Sequence, residues 1–113
     1  MTYLDKKHFL CSFKHIEKRI LHLEKEYAVN PAEPIKEEII KLTEQANIIL
    51  RAINSVEDPR EKTLLELYYI GEGVKGSRKT YFLWEIGCRL NYSVDWAKKH
   101  HAKAIHEIQI PCK

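Results

Sequence analysis

Two apolar seams separated by a proline-rich break constrain this chain more than any other feature. From Phe9 onward, apolar residues recur at Phe13, Ile16, Ile20, Leu23 and Tyr27, with gaps of 4, 3, 4, 3 and 4. That alternation lines them along one stripe of a helix, and the Lys, Glu, His and Arg residues between them make a solvated opposite face. The spacing predicts a single helix over residues 4–27, about 35 Å long at ~1.5 Å per residue. Asn30-Pro31-Ala32-Glu33-Pro34 ends it, because two prolines in four residues cannot continue a helix. Gaps of 4 and 3 then return at Ile35, Ile39, Leu42, Ala46, Ile49, Ile53 and Val56. Two seamed helices joined by a short turn predict an antiparallel hairpin. Ile40, Ile48 and Leu50 lie off the second seam and call for another apolar contact. Either the C-terminal half of the chain or a second copy, in a homodimer, can supply it.

The remaining 57 residues carry shorter elements with clearer punctuation. Asp58 is placed to cap a third helix, with Pro59 at its first position and Glu61 to complete a capping box. Leu64, Leu65, Leu67, Tyr68 and Ile70 supply its buried face, and Gly71 ends it. Residues 71–79 read as a flexible, basic loop. A short helix is predicted over 80–90, with Phe82, Leu83, Ile86 and Leu90 apolar. Gly87 in its interior costs about 1 kcal/mol relative to Ala, which implies close helix–helix approach. Asn91-Tyr92 turns the chain, Ser93 caps a last helix over 93–109, and Asp95 sits in its first turn. Two helices joined by so short a turn predict a helix-turn-helix. At ~100° per residue, Ala97, His101, Ala104, Ile105 and Ile108 share one face of the last helix. Asp95, Lys98, Lys99, Ala102 and His106 share the other.

Charge follows the same division. Residues 1–70 hold eleven Lys/Arg against twelve Asp/Glu, a balance of −1, and residues 71–113 hold eight against four, a balance of +4. A basic C-terminal half suits a polyanionic partner. With 44% hydrophobic and 31% charged residues and four each of Gly and Pro, the composition is that of a folded helical protein and excludes a disordered tail. Cys11, Cys88 and Cys112 are scattered, without C-x-x-C spacing or a signal peptide, which points to reduced thiols and a cytoplasmic location. No apolar run reaches the ~18–20 residues a membrane span requires.

Glu85-Ile86-Gly87-Cys88-Arg89-Leu90-Asn91-Tyr92-Ser93 resembles the E-I-G/A-x-x-L-G-x-S turn of bacterial sigma factor region four. The likeness continues without a gap to Ala102-Lys103-Ala104-Ile105, which is similar to that family's A-K-A-L. Upstream, Asp58-Pro59-Arg60-Glu61 followed by Leu65-Glu66-Leu67-Tyr68-Tyr69 resembles its P-R-E…L-x-L-R-Y helix. The resemblance covers residues 57–108, about half the chain. A helical hairpin placed ahead of such a unit resembles phage late-gene transcription regulators of the ArpU/RinA type. The resemblance implies that the start of the last helix meets bases and phosphates, through Ser93, Val94, Asp95, Trp96, Lys98, Lys99 and Lys103. Val94 and Trp96 stand where sigma factors usually have Arg, so a sigma-type −35 sequence is not implied.

Each candidate has a plainer alternative. Lys98, Lys99 and Lys103 also fit a solvated helix face. Trp96 fits a thymine-methyl or base contact and, equally, packing against the preceding helix. Lys75, Arg78, Lys79 and Arg89 are weaker candidates for phosphate contacts. Gly71-Glu72-Gly73-Val74-Lys75-Gly76 spells G-x-G-x-x-G but follows a helix instead of a strand, which removes the dinucleotide-binding interpretation. His8, His15 and His22 recur every seven residues, ~10.5 Å apart along a helix and too distant to share one ion. His100, His101 and His106 offer no i,i+4 pair and no neighbouring cysteine, so no metal site is expected, and no cofactor. No Ser/His/Asp or Cys/His grouping suggests an enzyme.

These features together predict an all-α protein, with an N-terminal antiparallel helical hairpin over 1–56 and a sigma-region-four-like helix-turn-helix over 57–113. The expected function is a sequence-specific, DNA-binding transcriptional regulator of phage type. Its partners would be double-stranded DNA, with RNA polymerase and a second copy of the chain as further candidates, and no membrane. The rival class is an adaptor that binds RNA polymerase or another regulator without touching DNA.

Overall fold

The structure, a computed structural model, describes residues 2–110. Every named element in it is helical, so the chain is all-α. α1 (Tyr3–Cys11) begins at Thr2, whose hydroxyl accepts from the Asp5 amide while the Asp5 carboxylate accepts from the Thr2 amide. α2 (Phe13–Val29) follows after Ser12 alone. The single helix expected over 4–27 is therefore interrupted, and Ser12 gives the local reason. Its hydroxyl donates to the Phe9 carbonyl at 2.6 Å, the kind of side-chain bond that competes with the helical ladder. The interruption lets α1 pack against α6 while α2 packs along α3. It also shifts the buried stripe, since Leu10 is fully buried while Phe9 and Ile16 are half-buried.

α3 (Glu33–Asn54) accepts Pro34 in its first turn, where the missing amide hydrogen has no helical partner to lose. Arg19 of α2 meets Glu38 near the start of α3 at 3.7 Å, and Phe13 at the start of α2 lies by Ala46 and Leu50, so the two helices run in opposite directions. Ile20 and Leu23 are buried between them, as are Ala46, Ile49 and Ile53. Of the three off-seam residues of α3, Ile48 and Leu50 are half-buried and only Ile40 is largely exposed.

α4 (Pro59–Leu65) runs into a π-helical turn (Glu66–Ile70), in which the Gly71 amide reaches back five residues to the Glu66 carbonyl. Gly71 has a φ of +90°, and a Cβ there would lie 2.5 Å from the Lys79 carbonyl oxygen. That close approach is the foot of a closed loop. Glu72 and Lys79 exchange two backbone hydrogen bonds of 2.8 Å, and the Gly76 amide donates to Glu17 of α2. The loop expected to be flexible over 71–79 is thus pinned at both its base and its tip.

α5 (Leu83–Leu90) starts three residues later than expected. The Tyr81 amide donates to the Leu67 carbonyl, which holds residues 80–81 extended against the π-turn. Phe82, one of the apolar residues expected within this helix, precedes it and is 68% exposed. α6 (Val94–Glu107) is the last helix.

One continuous core joins these elements. Leu10 and Phe13, Ile49 and Ile53, Leu64 and Leu65, Ile86, Ala104 and Ile105 belong to a single cluster of buried side chains. Each large one contributes roughly 1.5–3 kcal/mol by leaving water. α6 is central to it, packing on α1, α4 and α5. Among the described residues, no helix is long and apolar enough to cross a membrane.

Candidate nucleic-acid interface

The connection from α5 to α6 is built from backbone hydrogen bonds that the sequence can satisfy in few ways. Asn91 adopts a left-handed conformation (φ 65°, ψ 39°), which Asn tolerates better than most residues. The Tyr92 amide then donates to the Gly87 carbonyl at 2.7 Å, and the Ser93 hydroxyl accepts from the Trp96 amide at 3.1 Å. Gly87 is buried under this turn. A Cβ on it would lie 2.9 Å from the Ser93 carbonyl oxygen and 3.0 Å from that of Tyr92. The element that approaches Gly87 is therefore the turn backbone, and not the facing helix that the sequence led us to expect.

α6 has two unlike faces. Ala97, His101, Ala104, Ile105 and, just past its end, Ile108 are buried. Asp95, Lys98, Lys99 and His106 are exposed and Ala102 is half-buried. Among the described residues no ion pair involves Lys98 or Lys99. Ser93 and Val94 are exposed at the helix start, Val94 at 38%.

Trp96 is half-buried in a row of rings. It stacks on Tyr92 with centroids 4.1 Å apart and planes 12° from parallel, and on His100 at 4.5 Å and 25°. The Arg60 guanidinium of α4 lies 5.6 Å from the Tyr92 ring and 5.9 Å from the Trp96 ring, and donates to the Tyr92 hydroxyl at 3.0 Å. Arg60 also grips Asp58, and that hydrogen bond is the main reason the Asp58 carboxyl is pulled down to about 2.

The other expected cations divide by partner. Lys103 reaches Glu61 at 3.4 Å and Glu107 at 3.6 Å, and its hydrogen bond to Glu61 is the main cause of its raised pKa. Arg89 forms a two-pronged pair with Glu72, at 2.9 and 3.0 Å. Glu72 itself is held below the usual carboxylate range, chiefly by the Tyr81 hydroxyl. Arg78 is bound to Glu17, a carboxylate only 6% exposed, at 2.9 Å. Lys79 lies 5.0 Å from the Tyr81 ring, and Lys75 is exposed. Arg78 is thus tied to a nearly buried carboxylate, whereas the Arg89–Glu72 pair lies in solvent, its side chains 46% and 47% exposed.

Glu61 departs from its expected role. It does not reach back to close a capping box with Asp58. Its carboxylate is fully buried, with Oε2 at 2.7 Å from His100 Nδ1 and no hydrogen-bond partner for Oε1. Asp58, Glu61 and His100 each bring one donor atom within 4.8 Å of the others. This grouping is not legible in the sequence, because His100 lies 39 residues from Glu61 and no periodicity links them. His8, His15 and His22 are exposed, in line with their spacing. Cys11 and Cys88 are free and exposed, and Cys112 lies outside the described residues.

The chain matches no protein-family model, no curated protein and no solved structure.

Proposed function

We propose that this protein is a sequence-specific, DNA-binding transcriptional regulator that reads duplex DNA with α6. α5, the Asn91–Ser93 turn and α6 would form a helix-turn-helix similar to sigma factor region four, preceded by an α2–α3 hairpin as in phage late-gene regulators of the ArpU/RinA type. The observation that carries this proposal is the asymmetry of α6. One face is buried against three helices, while the other presents Lys98 and Lys99 to solvent, with no ion pair to either among the described residues. A helix that enters a groove needs a fixed inner face and free cations outside. Val94 and Ser93 at its start are exposed where base edges would be met. The hairpin would serve a homodimer or contact with RNA polymerase. Its seam residues Ile20 and Leu23 are buried within the chain, so a second copy would use the outer face of α3, around Ile40.

Binding to duplex DNA bearing phage-promoter sequences, titrated over salt, tests the proposal. A complex that prefers some sequences and weakens steeply with salt is expected. Absence of such a complex favours a second function, a sigma-like adaptor that binds RNA polymerase or another regulator without DNA. Phe82 and Trp84 favour that alternative, being 68% and 58% exposed at the start of α5. Apolar aromatic surface of this kind is more usual at protein contacts than on a phosphate-facing surface.

A further inference from the structure

We propose that Asp58, Glu61 and His100 form a binding site for a divalent transition-metal ion of the zinc type, linking the Asp58–Glu61 segment to the middle of α6. Glu61 poses the problem such an ion would solve. Its side chain is fully buried, yet Oε1 makes no hydrogen bond. Buried carboxylates in folded proteins are normally paired at both oxygens, and an ion is one of the few ways to complete the set.

The donors suit the ion. One oxygen from each carboxylate and a ring nitrogen of His100 already lie within 4.8 Å of one another. A tetrahedral ion with bonds of ~2.0–2.2 Å needs donors ~3.4 Å apart, so donors as much as 4.8 Å apart must close in, and where Nδ1 is the ligand the 2.7 Å hydrogen bond between His100 and Glu61 must open. Two carboxylates alone would suit magnesium or calcium, and the imidazole shifts the preference toward zinc. An open cleft of about 680 Å³, lined by Asp58, Arg60, Lys103 and Glu107 among others, gives an approach from the Asp58 side, while neither Glu61 nor His100 lines it.

Two cations now stand near these carboxylates, and both have somewhere to go. Lys103 is 3.4 Å from Glu61 but also 3.6 Å from Glu107. Arg60 is 3.0 Å from Asp58 and 3.0 Å from the Tyr92 hydroxyl, beside the Tyr92 and Trp96 rings. One dication supplies the charge that these two side chains supply together. Each can then fall back on a partner it already touches.

The test is calorimetric titration of the full chain with zinc chloride, with the absorption spectrum of the cobalt(II) form and thermal melts alongside. One ion per chain is expected, with a cobalt spectrum free of thiolate charge-transfer bands. The melting temperature should rise by about 10 °C at a zinc concentration a hundredfold above Kd. Asp58→Asn, which keeps the helix cap, and His100→Gln should each weaken binding about tenfold or more. His22→Ala, which removes the exposed His22–Glu26 pair, should leave binding unchanged. Circular dichroism checks that each variant folds, and either folded variant suffices. No one-to-one binding, thiolate bands, affinity unchanged in the folded site variants, or affinity lost in His22→Ala would each overturn the proposal.

Discussion

The Tyr69 hydroxyl lies 2.7 Å from Nε2 of His101, a buried hydrogen bond that joins the π-turn to the inner face of α6. The two rings are stacked with centroids 5.6 Å apart, and the Tyr68 ring meets the same imidazole edge-on at 4.9 Å. A neutral imidazole can share this hydrogen bond with the hydroxyl in either tautomer, whereas an imidazolium would have to be desolvated.

Stability should therefore fall in mild acid. Burial, with a smaller contribution from the charge of Lys7, lowers the His101 pKa from 6.5 to about 4. Because the folded value is the lower one, the unfolded chain binds the proton first as pH drops. The full contribution of the neutral ring is present above about pH 6.5 and is lost progressively as pH falls toward 4. A shift of this size corresponds to roughly 3 kcal/mol. Urea melts at pH 7.5 and 4.5 should differ by an amount of that order in the wild type and by much less in His101→Gln. Equal pH sensitivity of the two proteins would mean that His101 is not the group responsible.

Gly87→Ala should destabilise the chain even though alanine is the better helix former. Propensity favours the change by about 1 kcal/mol. The new Cβ, however, would meet two backbone carbonyl oxygens of the turn at 2.9 and 3.0 Å, and backbone cannot rotate aside as a long side chain can. Overpacking of this kind costs ~1–3 kcal/mol, so a net loss of about 1 kcal/mol and a melting temperature lower by several degrees are expected. Gly87→Leu should lose more. A higher melting temperature for the alanine variant would show that the turn yields freely.

What the sequence made legible, and what it hid, follows from how each feature is encoded. Faces were readable wherever one helix buries one stripe. Ile20, Leu23, Ile49 and Ile53 are buried as their spacing predicts, and so are Ala97, His101, Ala104 and Ile105. The interruption at Ser12 was hidden because its cause is tertiary. α1 turns toward α6, where Lys6 donates to the His106 carbonyl 100 residues away. Glu17 reads as a surface carboxylate and Glu61 as a capping-box residue, since only partners 61 and 39 residues distant account for their burial. The π-turn at Glu66–Ile70 adds a residue that shifts the helical register, and it buries Tyr69, which the spacing did not select.

Arg78 tests whether a cation near the proposed interface is structural or would contact DNA. Its guanidinium is bound to a carboxylate that is almost wholly buried, and the Gly76 amide shares the same oxygen. Arg78→Ala would strand that carboxylate, at a cost of about 1–3 kcal/mol given that the arginine is itself partly exposed. A lower urea midpoint is expected, with the salt dependence of DNA binding unaltered under conditions where the variant is folded. An unchanged midpoint together with a shallower salt slope would instead make Arg78 a phosphate contact.

Lys98 and Lys99 provide the sharpest test of α6 as the reading helix. Both are exposed on the face opposite Ala97, Ala104 and Ile105, so their replacement by alanine should leave the core untouched. Alanine also favours helix slightly more than lysine does, and circular dichroism of the double variant should match the wild type. Each neutralised phosphate contributes about −0.9 to the slope of log K against log salt concentration. If both lysines bind phosphate, the double variant should lose nearly two units of slope and weaken on every sequence alike. If one of them reads a guanine edge, its loss should relax preference at a single base pair by roughly 1–3 kcal/mol. Binding measured at four salt concentrations on matched and scrambled duplexes distinguishes these cases. A folded double variant with wild-type affinity, sequence preference and salt slope would exclude this face of α6 from the DNA contact.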